Sequence, residues 1–337
     1  MKFESVPSLA GKRVVITGSS MGIGRAVASK LALEGANVVI NSRGEQSLEE
    51  TATEINRYQG NVITSCGSVA DYEYAGELIN TCVEEFGGID GLINCAGIAE
   101  PVGTSILNIN PQDWQNLIDV HLNGTFNTCR HAAPIMAKQG HGSIINTGSH
   151  AFLGMYGGTG YAAGKGATYS LTLAMAMDLK EQGVRVNAVC PGAKTRLSSG
   201  ADYEELIENL NKRGLLSDDL KENSLNPPSP DYVAPLYGYL VTENAEEISG
   251  RIFWAAGGYL GQFHRNADQV LGIKDHEKYP PWTLAELSKK LQTDEMQQPD
   301  ELYNMILKAG PGRLLVKQKL LVALSNTRLA KWALSLQ

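Results

Sequence analysis

The 337-residue chain is long enough to form one large or two small domains with a sizeable hydrophobic core. Its hydrophobic content of 43% and its 36 glycines are typical of a globular protein with many tight turns. The formal net charge of −7 argues against the basic face of a nucleic-acid-binding protein, and no run of residues is apolar enough to predict a membrane span.

The cysteines and the N-terminal residues give expectations about metals and location. The five cysteines are scattered, without Cys-x-x-Cys pairs or cysteine–histidine clusters at metal-ligand spacing. We therefore expect no bound metal and expect reduced, buried thiols. Glu4, Lys12 and Arg13 interrupt any early apolar run, so we expect no signal peptide and a cytoplasmic location.

Short β-branched runs alternate with longer amphipathic segments from residue 13 to about residue 260. The nearly continuous apolar centres of the short runs are typical of parallel strands covered on both faces. We predict strands at 13–17, 37–41, 61–66, 91–97, 142–148, 184–189 and 251–256. We predict helices at 22–34, 46–58, 71–86, 111–137, 159–181 and 231–241. The alternation predicts an α/β fold, a doubly wound sheet of seven parallel strands.

Two segments depart from this alternation. Residues 193–230 separate the last two predicted strands and contain a charged amphipathic helix, ADYEELIENLNKRG, followed by a proline-rich stretch. Because they follow a strand near the carboxyl edge of the sheet, we predict that they form a lid over a ligand. Residues 1–262 are then the catalytic domain, and residues 263–337 a mostly helical C-terminal extension.

The end of this extension is basic and amphipathic. From Leu302 onward there is no acidic residue, and several leucines and Trp332 fall near one helical face. Such a segment is suited to docking on its own protein or on a neighbouring subunit, and contact with an anionic membrane surface is the alternative. Docking is favoured because the opposite face also carries leucines.

A glycine-rich turn follows the first predicted strand. Gly18, Gly22 and Gly24 allow the backbone to turn tightly and to approach a pyrophosphate closely. The helix that follows would offer free N–H groups and the positive end of its dipole to phosphate. The position of the turn, between a strand and a helix, is typical of a dinucleotide site.

The end of the second predicted strand bears on the choice of cofactor. An acidic side chain there would accept hydrogen bonds from the adenosine ribose of NAD and repel a 2′-phosphate, but the chain has Asn41, Ser42 and Arg43. Arg43 is suited to pair with the 2′-phosphate of NADP, and Ser42 to donate to it. These residues favour NADP over NAD; the alternative is that Arg43 is a solvated loop residue.

Tyr161 and Lys165 lie four residues apart on the predicted helix 159–181, so their side chains leave the same face one turn apart. An ammonium group beside a phenol favours the phenolate and lowers the tyrosine pKa towards neutrality. Tyr161 is therefore a candidate general acid or base. A surface tyrosine beside a solvated lysine is the alternative for the pair taken alone.

The chain resembles the short-chain dehydrogenase/reductase family over about residues 10–262. The likeness is carried by TGSSMGIG at 17–24, NCAG at 94–97, Ser149, Tyr161-x-x-x-Lys165, and PG at 191–192. The stretches DYVAPLYGYL and SGRIFWAAGGYLGQF are similar to the 3-hydroxyacyl-CoA dehydrogenase domains of multifunctional fatty-oxidation enzymes. The resemblance implies one Rossmann domain that uses NAD or NADP and assembles as a homodimer or homotetramer.

The resemblance also implies catalytic roles. Tyr161 would donate a proton to a carbonyl oxygen in reduction, or accept one in oxidation. Lys165 would lower the pKa of Tyr161 and bind the nicotinamide ribose, and Ser149 would hold the substrate oxygen. His121 occupies the position of a family asparagine that holds a water beside the lysine. Two interpretations of His121 stay open: a relay through its imidazole with a sharper pH dependence, and a histidine packed among helices with one satisfied hydrogen bond.

Further residues are implied to contact ligands. Thr195 is the candidate for the nicotinamide carboxamide, and the aspartate with which the family often reads adenine is absent near residues 67–69. The implied cofactor-binding residues are Gly18, Ser20, Gly22, Ile23, Gly24, Ser42, Arg43, Ser68, Val69, Asn94, Ala96, Gly97, Tyr161, Lys165, Pro191, Gly192 and Thr195. The candidates for substrate contact, with packing as the alternative, are His150, Met155 and Tyr156.

We therefore expect an NADP-dependent ketoreductase that transfers a hydride between nicotinamide and a ketone or secondary alcohol. The similarity near the C-terminal strand suggests a lipid-like or polyketide-like small molecule as its partner, and no nucleic acid. One alternative is an NAD-dependent dehydrogenase of a hydroxyacyl or hydroxysteroid-like substrate. The other is an NADP-binding regulator without turnover.

Overall fold

The computed structural model describes residues 8–58, 60–154, 156, 158–263 and 273–291, and eight strands lie within them in one sheet. The strand order is β3-β2-β1-β4-β5-β6-β7-β8, and all neighbours are parallel except β7 and β8. The strands are β1 Arg13–Thr17, β2 Asn37–Ser42, β3 Val62–Cys66, β4 Gly91–Asn94, β5 Gly142–Thr147, β6 Val184–Gly192, β7 Ile252–Ala256 and β8 Tyr259–Phe263.

Helices follow most of the strands, as expected for a doubly wound sheet. They are α1 Gly22–Leu33, α2 Glu45–Ile55, α3 Tyr72–Phe86, α4 Pro111–Ile118, α5 Gly124–Gln139, α6 Gly160–Asp178, α7 Ala201–Lys212, α8 Asp218–Leu225, α9 Ala234–Val241 and α10 Leu284–Leu291. Local sequence sets several boundaries. The Asp71 carboxylate accepts the N–H of Tyr74 at 3.0 Å at the start of α3, and Gly87 ends that helix at φ +80°.

The alternation of side chains along each strand divides the core into two layers. Val14 and Ile16 of β1 are fully buried in the cluster that contains the apolar residues of α1, α2 and α9. Val15, between them, is buried on the opposite face with residues of α3 and α5. Because successive strand residues point to opposite faces, a continuous apolar strand needs helices on both sides of the sheet. The predicted doubly wound α/β fold is confirmed.

The predicted number of strands is one too small. The seven predicted parallel strands are present, and an eighth strand that the sequence did not predict, β8, pairs antiparallel with β7. Gly257, with φ +54°, and Gly258 form a two-residue hairpin loop between Ala256 and Tyr259. A Gly-Gly pair between β-prone runs is itself a hairpin signal, because glycine adopts the positive φ that such turns need.

The predicted helix 111–137 is interrupted. A π-helical turn, Asp119–Asn123, separates α4 from α5 and contains His121. The carbonyl oxygen of His121 accepts hydrogen bonds from the hydroxyls of Thr125 at 2.9 Å and Thr168 at 3.2 Å. Single π turns within helices occur frequently at functional sites.

The segment 193–230 contains two helices where one was predicted. Ile207 and Leu210 of α7 are buried together with Leu220 of α8. The ammonium of Lys221 also lies 2.7 Å from the carboxylate of Glu208, so the two helices are joined by an apolar contact and an ion pair. That this helix pair acts as a lid stays a prediction.

The chain divides after Phe263 into two units, and the second is described only for residues 273–291. Within it, α10 begins after Thr283, whose hydroxyl accepts the N–H of Glu286 at 3.2 Å. The basic segment from Leu302 onward lies outside the described residues, so its docking or membrane contact stays a prediction. Among the described helices, none is long and apolar enough to cross a membrane.

Candidate functional site

The glycine-rich turn joins the carboxyl ends of β1 and β4. Gly18 and Gly22 adopt φ +62° and +55°, a region that favours glycine. A Cβ atom on Gly18 would lie 2.7 Å from the Cα of Ala96, so the two backbones approach closely. The hydroxyl of Thr17 also accepts the N–H of Ala96 at 3.1 Å. The turn therefore lines the crevice at the point where the strand order reverses.

The start of α1 fits a phosphate group. Its N-cap residue, Met21, makes no side-chain capping bond, and the first turn has no acidic residue. The first N–H groups of the helix therefore stay available, and the helix dipole favours an anion there. Ser20 is buried and Ile23 is half-buried beside this turn. A dinucleotide pyrophosphate fits these residues.

Gly24 is expected to tolerate no larger side chain. A Cβ atom there would lie 2.3 Å from the carbonyl oxygen of Gly18, a rigid backbone atom. Gly24→Ala should lower the free energy of unfolding by at least about 2 kcal/mol, measured by urea denaturation. The matched control is Gly166→Ala in α6, where nothing lies within 4 Å of the added atom. That variant should be unchanged or more stable by up to about 1 kcal/mol. Equal stabilities of the two variants would contradict the close approach.

The residues at the end of β2 point in different directions. The amide of Asn41 is buried and donates to the hydroxyl of Tyr74 at 2.9 Å. The hydroxyl of Ser42 is engaged with Gly44, donating to its carbonyl at 3.0 Å and accepting its N–H at 3.2 Å. Arg43 is exposed and makes no ion pair or hydrogen bond with another described residue. Its guanidinium is thus free to meet an anionic group from solvent.

Other predicted cofactor residues line or support the crevice. The amide of Asn94 donates to Asn146 Oδ1 at 2.9 Å and accepts the Thr128 hydroxyl at 2.7 Å, so its side chain is occupied within the core. Val69 is buried, and its carbonyl accepts the amide of Asn127 at 3.0 Å. Ser68 is half-buried. The contribution of these residues to nucleotide binding stays a prediction.

The residues after β6 lie across the crevice from the glycine-rich turn. Pro191 and Gly192 end β6, and a Cβ atom on Gly192 would lie 2.8 Å from the Cβ of Ala256. Thr195 caps a short 3-10 turn, and its hydroxyl accepts the N–H of Leu197 at 3.2 Å. The Thr195 methyl group lies 3.4 Å from the position of a Cβ on Gly22. Thr195 therefore faces the predicted phosphate turn.

Lys165 lies one turn after Tyr161 on α6, and its Nζ atom is 5.8 Å from the centroid of the Tyr161 ring. Its ammonium donates to the carbonyl oxygen of Thr147 at 2.8 Å. Burial lowers the pKa of Lys165 to about 8, although the nearby thiols of Cys95 and Cys190 act in the opposite direction. The amine is therefore mostly protonated at neutral pH and loses its charge just above it.

The predicted lowering of the Tyr161 pKa is wrong for this structure. Burial raises the pKa of the phenol above its ordinary value, and a hydrogen bond with Ser149 opposes this effect only in part. The ammonium of Lys165 is directed to the Thr147 carbonyl. Tyr161 is consequently a neutral phenol at neutral pH, the form that donates a proton.

Ser149 is brought to the phenol by a turn after β5. Its hydroxyl accepts the N–H of Ala151 at 3.2 Å, which caps the 3-10 turn His150–Leu153. The same side chain hydrogen-bonds to Tyr161. The three predicted residues Ser149, Tyr161 and Lys165 are thus gathered at the carboxyl edge of the sheet, between β5 and α6.

His121 lies beside this group and is neutral. Its Nε2 atom is 2.9 Å from the carbonyl oxygen of Ile98 and 3.4 Å from the backbone nitrogen of the same residue. The Nδ1 atom is buried without a partner among the described residues. Burial, together with the charge of Lys165, lowers the His121 pKa to about 3. The histidine therefore does not titrate near neutrality, and the predicted relay remains untested.

The imidazole of His121 also packs against the ring of Tyr161 and against the loop after β4. Its ring meets that of Tyr161 edge to face, with centroids 4.9 Å apart. A Cβ atom on Gly97 would lie 3.0 Å from its Cε1 atom. The side chain thus fills the space between the loop after β4 and α6, whatever its part in proton transfer.

The predicted substrate residues have different surroundings. His150 packs against Trp254, with ring centroids 4.2 Å apart, and burial lowers its pKa to about 4. These contacts are those of a packed aromatic residue. Met155 lies outside the described residues. Tyr156 hydrogen-bonds to Ser224, and burial raises the pKa of its phenol.

Two residues of the 193–230 segment reach this site, although the sequence did not predict them as site residues. Burial raises the pKa of Tyr203, on α7, to about 12, and its phenol hydrogen-bonds to Ser224 of α8. The phenols of Tyr156 and Tyr203 both interact electrostatically with Tyr161. The pattern of α7 marks Tyr203 only as one residue of an amphipathic helix, so no local signal distinguishes it.

Two further features of the described residues do not form a competing site. A surface cavity of about 470 Å³ at the amino end of β1 is lined by charged groups that are paired with one another, Lys12 with Glu243 and Arg13 with Asp90. Over the described part of the chain, no three histidine, cysteine or carboxylate side chains are grouped as metal ligands.

Comparisons with known proteins agree with this geometry. A family model described as short chain dehydrogenase matches residues 12–202. The chain is 34% identical to short-chain reductase protein NovJ of Streptomyces niveus, over 70% of this chain and 92% of that protein. It is 31% identical to 3-oxoacyl-[acyl-carrier-protein] reductase FabG of Thermotoga maritima, over 75% and 99%.

Two further similarities bear on the fold and the C-terminal core. A short chain dehydrogenase from Mycobacterium avium superposes with a TM-score of 0.68 at 32% identity, covering 83% of this chain and 93% of that one. The peroxisomal hydratase-dehydrogenase-epimerase of Neurospora crassa is 31% identical over 81% of this chain but only 29% of its own length. The predicted likeness to dehydrogenase domains of multifunctional enzymes is confirmed.

Proposed function

The chain belongs to the short-chain dehydrogenase family, and from that premise we propose that it is an NADP-dependent oxidoreductase acting on a ketone or the matching secondary alcohol. The observation that carries the proposal is the grouping of Ser149, Tyr161 and Lys165 beside the crevice of the glycine-rich turn. An intact set of this kind favours turnover over a regulator that only binds nucleotide. When bound, the nicotinamide supplies or accepts the hydride.

The residues of the chain handle the proton and the substrate oxygen. Tyr161, neutral at neutral pH, donates its proton to the carbonyl oxygen as the alcohol forms. Ser149, already hydrogen-bonded to that phenol, is placed to donate to the same oxygen as negative charge develops there. The ammonium of Lys165 adds positive charge close to the reacting groups. The protein thus contributes orientation and electrostatic stabilisation.

The preference for NADP rests on Arg43. Its guanidinium is exposed, unpaired among the described residues, and placed directly after β2, where no carboxylate repels a 2′-phosphate. A guanidinium binds phosphate with two parallel hydrogen bonds, so it discriminates between the two nucleotides. Ser42 is engaged with Gly44 and contributes less than expected from the sequence.

The substrate proposed is a lipid-like ketone such as a 3-oxoacyl thioester. Two relatives point to this class through their names, a 3-oxoacyl-[acyl-carrier-protein] reductase and a peroxisomal hydratase-dehydrogenase-epimerase. The polar part of the site also fits, because the phenols of Tyr156 and Tyr203 stand near Tyr161. They offer hydrogen bonds to a second oxygen close to the reacting carbonyl.

The assembly proposed is a homodimer or homotetramer, in the cytoplasm. Phe126 of α5 and Met177 of α6 are 47% and 67% exposed, and such apolar side chains on neighbouring long helices are suited to an interface between copies of the chain. The basic C-terminal segment is proposed to dock within this assembly rather than on a membrane.

The proposal is tested with the purified full chain. NADPH and NADH are each supplied with a panel of 3-oxoacyl thioesters, simple ketones and steroid ketones, and oxidation of the nicotinamide is followed by absorbance. We expect reduction of 3-oxoacyl thioesters with NADPH as the better donor. Nucleotide binding without reduction of any ketone would contradict the proposal, and equal rates with NADH would contradict the cofactor preference.

The pH dependence of reduction should follow Lys165. Because the pKa of Lys165 in the free protein is about 8, its charge is present below that pH and lost above it. The kcat/KM for reduction should therefore be flat from about pH 6 to 7.5 and fall by up to about tenfold per unit above pH 8. A profile that stays flat to about pH 9.5 would exclude Lys165 as the controlling charge.

The control for this profile is His121→Asn. His121, with a pKa of about 3, is neutral throughout the range, so the variant should keep the position of the alkaline limb whatever its effect on rate. An acidic limb near pH 6.5 in the original protein that disappears in His121→Asn would show that the imidazole titrates in the working enzyme.

A further inference from the structure

A carboxylate from the loop after β4 holds the start of α6. Glu100 accepts the backbone N–H of Thr159 at 2.8 Å through Oε1, and the backbone N–H of Tyr161 at 2.8 Å through Oε2. The hydroxyl of Thr104 donates to Oε1 at 3.2 Å and so orients the group. Glu100 and Tyr161 lie 61 residues apart, so this contact exists only in the folded chain.

The local sequence does not supply this cap. The N-cap residue Thr159 makes no side-chain capping bond, its hydroxyl is buried without a partner among the described residues, and the first turn of α6 has no acidic residue. The first N–H groups of a helix need an acceptor, and the dipole favours a negative one. Gly158, at φ +79°, lets the chain approach, since a Cβ there would lie 3.0 Å from Glu100 Oε2.

The contact falls on the residue that carries the proton in the proposed reaction. One oxygen of Glu100 accepts a hydrogen bond from the backbone N–H of Tyr161 itself. This bond fixes the backbone that carries the phenol side chain relative to the loop after β4. The same loop provides Gly97 and Ile98, which pack against and hydrogen-bond to His121. The loop lining the crevice and the helix carrying the phenol are therefore tied together through one carboxylate.

We propose that Glu100 is a positioning residue that holds the backbone of Tyr161, and hence its phenol, in register with the nucleotide crevice. The inference rests on the proposed function, because it concerns the donor of that reaction. Among the described contacts Glu100 touches no reacting group, so it acts only through the placement of Tyr161. A displacement of about 1 Å at such a group is enough to cost on the order of a hundredfold in rate.

The experiment compares Glu100→Ala and Glu100→Gln with the original full chain. The alanine variant loses both bonds and should lower kcat by about 10- to 100-fold, counted per nucleotide-binding site. The amide of glutamine keeps one accepting oxygen, so Glu100→Gln should be intermediate, about 3- to 10-fold lower. The nucleotide dissociation constant, from a fluorescence titration, should stay within about twofold in both, since the glycine-rich turn is untouched.

A second measurement does not depend on turnover. Hydrogen–deuterium exchange of the backbone amides of Thr159 and Tyr161 should be at least about tenfold faster in Glu100→Ala, because their acceptor is gone. The matched control is Glu85→Ala, which removes an exposed carboxylate from the end of α3, before the amino end of β4, whereas Glu100 follows the carboxyl end of that strand. It should change neither exchange at these amides nor kcat.

The outcomes separate positioning from simple capping. Faster exchange with an unchanged kcat would show that Glu100 only caps α6, and a lower kcat with unchanged exchange would show that it acts by another route; either result overturns the inference. If Glu100→Ala fails to fold, the glutamine variant decides by the same two measurements. If the original protein reduces no ketone, the proposed function fails, while the exchange result still decides whether Glu100 holds Tyr161.

Discussion

Tyr161→Phe should lower kcat for ketone reduction by about 10²- to 10⁴-fold, the range for loss of a general acid. The phenol is buried and neutral, and its hydroxyl is hydrogen-bonded to Ser149, so removing one oxygen leaves the ring packing in place. The edge-to-face contact with His121, at 4.9 Å between centroids, needs only the ring. The variant should therefore fold normally and bind NADPH as before.

The matched control for this variant lies on the same helix. Tyr169 stacks on Phe152 with ring centroids 4.8 Å apart, and Tyr169→Phe keeps that contact while removing a hydroxyl outside the proposed site. Steady-state kinetics and a nucleotide titration should show no change for Tyr169→Phe and a loss of turnover alone for Tyr161→Phe. If Tyr161→Phe kept more than about a tenth of the original kcat, Tyr161 would not be the proton donor.

Arg43→Ala should lower kcat/KM for NADPH by about 10- to 100-fold and leave kcat/KM for NADH nearly unchanged. The expected loss corresponds to about 1.4–2.8 kcal/mol, the contribution of a charge-assisted contact with the 2′-phosphate that NADH lacks. Because Arg43 is exposed and pairs with no other described residue, its removal should not disturb the fold. The contrast between the two nucleotides makes the result specific.

The control is Arg57→Ala, which removes another exposed arginine shortly after α2. It tests whether the general positive field of this region, rather than one contact, attracts the nucleotide phosphates. Both kcat/KM values should stay the same in this variant. If Arg43→Ala leaves the ratio of kcat/KM for NADPH to kcat/KM for NADH unchanged, Arg43 does not select NADP.

Much of the fold could be predicted because its signals are local. The apolar runs of β1 and β2 and the glycine-rich turn between them place strand, turn and helix within a few residues of their observed bounds. The spacing of Tyr161 and Lys165 sets them on one helix face, since helical periodicity depends on neighbouring residues alone. Sequence by itself thus determined the α/β alternation, the nucleotide turn and the Tyr–Lys pair.

Tertiary structure decided what depends on burial and on contacts between distant segments. It raised the pKa of Tyr161, which the four-residue spacing had predicted to fall, because the phenol is desolvated and the Lys165 ammonium is held by Thr147. In the folded chain the Asn94 amide lies in the core, and Glu100 lies at the start of α6. Such effects follow from desolvation and from partners dozens of residues away, which no local pattern of residues encodes.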